Sequence, residues 1–124
     1  MIIKVLYVPV GGAPEIRETE NGLRTLQNLV GGDIELFPLD SLEPSPNLNA
    51  LAVLNEEGKI TPGIKPNRKV YHQRKVFDTF YGSFFICGFN GEGEFISITP
   101  EQKDYYSKMF ADNAPPNDVK GKNK

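Results

Sequence analysis

Between Lys59 and Lys75 the chain sets six basic side chains (Lys59, Lys65, Arg68, Lys69, Arg74 and Lys75) and its single histidine, His72, without one carboxylate. Arginine's planar fork suits phosphate or carboxylate, and the rings of Tyr71 and His72 can stack on a base, so this run is where an anion could be gripped. The candidate ligand- or partner-binding residues are Lys65, Asn67, Arg68, Lys69, Tyr71, His72, Arg74 and Lys75. Pro66-Asn67-Arg68-Lys69 reads as a turn that displays Arg68. If residues 70–76 form a strand, Tyr71, Gln73 and Lys75 fall on one face and His72 and Arg74 on the other, which favours an extended contact ribbon over a compact pocket. A charge run of this kind also has a plain reading as solvated surface. On the binding reading, replacing Arg68, Arg74 and Lys75 together with alanine is expected to spare the fold and abolish partner binding.

Around this run the chain is acidic: residues 1–58 hold three bases against nine acids, and the net charge of the 124 residues is −2. That balance does not suit a general nucleic-acid or membrane coat, which needs basic surface over a wide area. Catalytic sets are missing from the sequence. One histidine and one cysteine rule out a conventional Cys/His zinc site, and a nucleophile-base pair could draw only on His72. The acid pairs Glu56-Glu57 and Glu92 with Glu94 fall at expected turns, and no glycine pattern matches a dinucleotide or P-loop site. The expectation is a protein that is not an enzyme, with no catalytic residue, metal or cofactor.

The elements that must position the run follow from periodicity. Ile2–Val10 is a β-branched strand ending at Gly11-Gly12, and residues 13–19 alternate as its half-exposed hairpin partner. Leu23, Leu26, Leu29 and Val30 share a helical stripe, with Thr19 or Asn21 as cap and Gly31-Gly32 as stop. A strand over 33–39, a Pro/Ser/Asn loop over 40–49, a strand over 49–54 and a turn at Asn55–Gly58, with Gly58 at positive φ, come next. An extended or looped path leads to Arg68. Residues 81–89 and 94–98 form a hairpin about Asn90–Gly93. Thr99-Pro100-Glu101-Gln102 is a capping box that opens a helix to about Phe110, burying Tyr106, Met109 and Phe110. Cys87, inside Phe84-Phe85-Ile86-Cys87, reads as a buried thiol.

The expected fold is α+β, one small domain over 1–111, with a mostly antiparallel sheet of about five to six strands and two helices, followed by a disordered tail over 112–124. No stretch suits a membrane span or a signal peptide, so a cytoplasmic protein is expected. An exposed sheet edge makes a homodimer easy to build.

The order of Ile3-Lys4-Val5-Leu6, Leu29-Val30-Gly31-Gly32 running into Ile34-Glu35, Asn55-Glu56-Glu57-Gly58-Lys59, Pro66-Asn67-Arg68 and Tyr81-Gly82-Ser83-Phe84-Phe85-Ile86 resembles the DUF3846 family. The resemblance covers roughly residues 2–110. It implies a small protein of phages, plasmids or conjugative elements, without established activity, working inside a bacterial host. The chain departs from the family's pattern in its 40–49 segment and in the basicity of 69–75. The resemblance supplies no site residues. The functional expectation is a non-enzymatic binding protein, an anti-defence factor that inhibits a host protein or sequesters an anionic, nucleotide-like ligand. The alternative is a nucleic-acid-binding accessory protein.

Overall fold

Alternation in Ile2–Val8 (β1) sends Ile3 and Val5 to one side of a sheet and Leu6 and Val8 to the other, and all four are buried. The structure, a computed structural model, describes residues 1–111; the tail expected over 112–124 lies outside the described residues. The chain forms one α+β domain. β1 is flanked by Glu15–Glu20 (β2) and by Phe84–Phe89 (β7). Beyond β7 lie Ala50–Asn55 (β4) and Ile34–Pro38 (β3), giving the antiparallel order β2-β1-β7-β4-β3. Phe95–Ile96 (β8) pairs with the end of β7 and completes a six-stranded sheet. The centre therefore belongs to β7, whose Phe84-Phe85-Ile86-Cys87 is buried on both faces as a near-continuous apolar run should be. Pro66–His72 (β5) and Lys75–Tyr81 (β6) make a separate two-stranded sheet.

Two cores follow from the alternation. On one face Ile3, Val5, Val53, Phe85 and Cys87 pack against Leu26 and Val30 of a helix, Leu23–Val30 (α1). On the other face Leu6, Val8, Ala52, Phe84 and Ile86 meet Val70 and Phe80 of the small sheet, Leu39 and Leu42 of the 39–49 segment, and Tyr106 and Phe110 at the end of the chain's second helix, Pro100–Met109 (α2). Phe80, Phe84 and Phe110 run through this core as edge-to-face pairs with centroids 5.2 and 5.5 Å apart, a geometry that complements the ring quadrupoles.

Most element boundaries match the periodic reading, and the departures have local causes. The stop at Gly31 is left-handed, at φ 87°, but the cap position before α1 falls on Gly22, which has no side chain to cap with, while Asn21 Nδ2 donates to the Phe95 carbonyl. Leu23 and Met109 are exposed rather than buried, since each sits at a helix end where the apolar stripe runs past the sheet. Gly58 does not take positive φ; a Cβ there would lie 2.9 Å from the Tyr81 carbonyl oxygen, so the glycine serves a close approach of β4's turn to β6. At α2 the capping box forms as read: Thr99 Oγ1 accepts from the Gln102 amide at 3.1 Å and Gln102 Oε1 accepts from the Thr99 amide at 2.9 Å. Gln102 Nε2 also donates to the Leu48 carbonyl at 2.6 Å, binding α2 to the 39–49 segment.

Candidate functional site

Residues 70–76, considered above as one strand, belong to a hairpin. Gln73 and Arg74 take φ of 54° and 71°, and the chain reverses there between β5 and β6, the geometry of a tight two-residue hairpin turn. His72 and Lys75 stand opposite each other beside the turn. The polarity of Gln73-Arg74, with no glycine or asparagine, hides this turn from sequence reading. Its positions are held from outside: the Gln73 amide donates to the Glu43 carbonyl at 2.7 Å, and His72 Nδ1 accepts from the Glu43 amide at 3.1 Å. That acceptor role puts the neutral ring's proton on Nε2. The His72 ring packs on Phe77 with centroids 5.9 Å apart.

Asn67 and Arg68, expected on a displayed turn, point inward. Each is 1% exposed. A register shift between Pro66 and Arg68 lets both side chains enter the interior from one strand. Asn67 Nδ2 donates to the carbonyls of Val8, at 2.9 Å, and Gly82, at 2.8 Å, which fastens the small sheet to the large one. Arg68 Nε donates to the Phe110 carbonyl at 2.9 Å, Nη2 to the Gly12 carbonyl at 2.6 Å and Nη1 to Asn67 Oδ1 at 2.6 Å. One guanidinium thus joins the end of α2, the β1–β2 turn and β5. Its fork is used as anion recognition would use it, but its acceptors belong to the protein itself. Substituting Arg68 therefore strikes the fold, and the triple alanine variant anticipated from the sequence is not a clean surface probe.

The remaining basic groups are dispersed. Lys59 pairs with Asp78 of β6. Lys65 is exposed ahead of β5, Lys69 is half-buried opposite Thr79, and Arg74 and Lys75 are exposed at the hairpin tip. At about 3.3 Å per residue, β5 holds Lys65 at its start roughly 20 Å from Arg74 and Lys75 at the hairpin tip. The tip is also apolar, which the charge pattern concealed. Tyr71 and Val76 are direct cross-strand partners, 48% and 52% exposed, and Phe77 beside them is 57% exposed. Val76 and Phe77 are the residues that sequence reasoning missed; the signal was their place as an apolar pair directly after Lys75, although Phe77 also meets Phe37 of β3 with ring centroids 6.2 Å apart.

A cleft of about 260 Å³ opens on the opposite side of β6, between it and the β3–β4 pair. Phe37, Phe80 and Tyr81 line it together with Glu35, Glu56, Glu57, Asp78 and Lys59. A second hollow, of about 350 Å³, lies by Lys4, Ile16, Ile98 and the start of α2. Burial pushes the Cys87 thiol up to about 12, and pushes the Tyr106 hydroxyl above its ordinary value with Asp40 and then Tyr105 adding to the rise. Both groups stay neutral and face the core, so neither offers a nucleophile. No helix among the described residues is long and apolar enough to cross a membrane.

An antiparallel α+β domain with a hairpin laid over one face of its sheet defines the class. The chain belongs to the DUF3846 family, a domain of unknown function, whose model matches residues 3–111. No curated protein and no solved structure shows a significant match.

Proposed function

We propose that this is a non-enzymatic binding protein that contacts a partner protein through the tip of the β5–β6 hairpin. The observation that carries the reading is the exposed cross-strand pair Tyr71 and Val76 beside Arg74 and Lys75, with Phe77 half-exposed against His72 on the same hairpin. Aromatic residues and arginine are enriched where proteins bind one another, and exposed large apolar side chains grouped on a polar rim mark such surfaces. The setting proposed with it is a phage or other mobile element, the protein acting in the host cytoplasm as an anti-defence factor against a host protein. Sequestration of a nucleotide-like anion has less support, because the aromatic-lined cleft by β6 carries four carboxylates against one lysine. The basic groups themselves are spread over a ribbon.

The test compares full-length protein with a Tyr71→Ser/Arg74→Glu variant as baits in host lysate, with far-UV circular dichroism to confirm equal folding. The expected result is one stoichiometric polypeptide retained by the wild type and lost by the variant. Equal capture by both baits, or none by the wild type, refutes the tip as the contact. A nucleic-acid role predicts instead a DNA or RNA affinity that falls steeply between 50 and 200 mM salt, by about 10³ or more for six phosphate contacts.

A further inference from the structure

We propose that the cleft between β6 and the β3–β4 pair is a receptor for a basic side chain, lysine or arginine, presented by a partner protein. This inference goes beyond the hairpin reading and does not rest on it. The volume of about 260 Å³ falls below the roughly 300–1,000 Å³ of pockets that enclose a whole small molecule, and so suits one side chain. Its lining combines two features that favour a cation by different physics. Phe37, Phe80 and Tyr81 contribute aromatic lining, and an aromatic ring attracts positive charge where its face is reached. Glu35, Glu56, Glu57 and Asp78 supply carboxylates, with Lys59 the single base in the cleft.

The fold holds these groups in place. Glu35 and Phe37 sit two apart on β3 and so share its face toward the cleft. Phe37 is fixed edge-on to Phe80 with centroids 5.3 Å apart. Asp78 Oδ1 accepts from the Thr79 amide at 2.8 Å, which orients its carboxylate. The turn after β4 is drawn in at Gly58, where the approach of the Tyr81 carbonyl leaves no room for a side chain.

Among the described residues no three acidic, histidine or cysteine groups converge closely enough to hold a metal ion. Spread carboxylates around aromatic rings suit an extended organic cation better than a point charge. The protein already places one ammonium there: Lys59 reaches in from the turn after β4 and pairs with Asp78. Lys59 remains more than half exposed, so this pair is weakly held and an incoming cation can exchange with it. Lys59 is thus a resident competitor that sets the affinity of the cleft.

The test titrates the full chain with an acetylated, amidated lysine dipeptide, followed by amide NMR. Millimolar binding is expected for one side chain, with shifts concentrated at Gly58, Lys59, Thr79 and Tyr81. Lys59→Met should tighten binding several-fold, and Asp78→Asn should weaken it about tenfold. Glu35→Gln, at an exposed position on β3, repeats the loss without touching the Thr79 amide. The norleucine analogue, which keeps the aliphatic chain but lacks the ammonium group, should not bind. Equal binding of the neutral analogue, unchanged affinity in both carboxylate variants, or weaker binding in Lys59→Met overturns the proposal. Spermidine binding ten times tighter than the peptide would assign the cleft to free polyamines and overturn the protein partner.

Discussion

Replacing Arg68 with methionine keeps much of the apolar stem and removes the guanidinium, so lost polar bonds dominate the effect, with a cavity cost added. The substitution strips donors from the Phe110 carbonyl, the Gly12 carbonyl and Asn67 Oδ1. Bonds from a charged donor contribute about 1.5–3 kcal/mol each, and a buried acceptor left bare loses a similar amount. Gly12 is half-buried, so water recovers part of that one. With the Gly12 bond discounted, the other two give a destabilisation of about 3–6 kcal/mol, against a total of roughly 5–15 kcal/mol for a domain of this kind. The chain has no tryptophan, so urea unfolding is best followed by far-UV circular dichroism. The midpoint of thermal unfolding should fall by at least about 12 °C, at some 4 °C per kcal/mol. Arg68→Lys should fall nearly as far, since one ammonium cannot reach three acceptors held by three elements. Arg68→Met within about 1 kcal/mol of wild type would refute the assignment of Arg68 as the interior tie, as would equal losses in Lys65→Ala or Arg74→Ala, which should change stability by less than about 0.5 kcal/mol.

Asn67→Ala frees the Val8 and Gly82 carbonyls and should cost about 2–4 kcal/mol, with an Asn67→Ala/Arg68→Met cycle departing from additivity by more than about 0.5 kcal/mol in urea melts. Thr99→Ala removes half of the capping box and should lower stability by about 1 kcal/mol, measured the same way. Cys87 should resist thiol reagents in native protein at pH 8 and react once urea unfolds the chain. Its folded value of about 12 lies above the ordinary 9.0, so the unfolded chain loses this proton first. Stability is full below about pH 9 and declines as pH rises toward 12; Cys87→Ala should flatten that part of the urea-midpoint profile. Gly58→Ala should perturb the turn after β4, seen as amide shifts at Tyr81 in NMR spectra.

Local rules were enough for much of the fold. β-Branched alternation in Ile2–Val8, the Gly31 stop and the Thr99-Pro100-Gln102 box involve neighbours in sequence, and each formed where the pattern placed it. The site was less legible for a definite reason. A basic side chain looks the same in a sequence whether its partner is solvent, a ligand or a distant carbonyl, and Arg68's acceptors lie as far off as Gly12 and Phe110. The hairpin turn at Gln73-Arg74 was hidden likewise, because contacts from Glu43 help to hold backbone that its own residues do not favour.

By itself, then, the sequence determined the α+β class, the buried β7, both helices and the concentration of positive charge over 59–75. Those depend on periodicity, propensity and composition, which are properties of adjacent residues. Only the tertiary structure decided what the charges do. It turned Arg68 inward to join three elements, paired Lys59 with Asp78 of β6, and set Tyr71 opposite Val76 at the tip. Burial and partner choice belong to pairs far apart in the chain, and only the packed fold creates them.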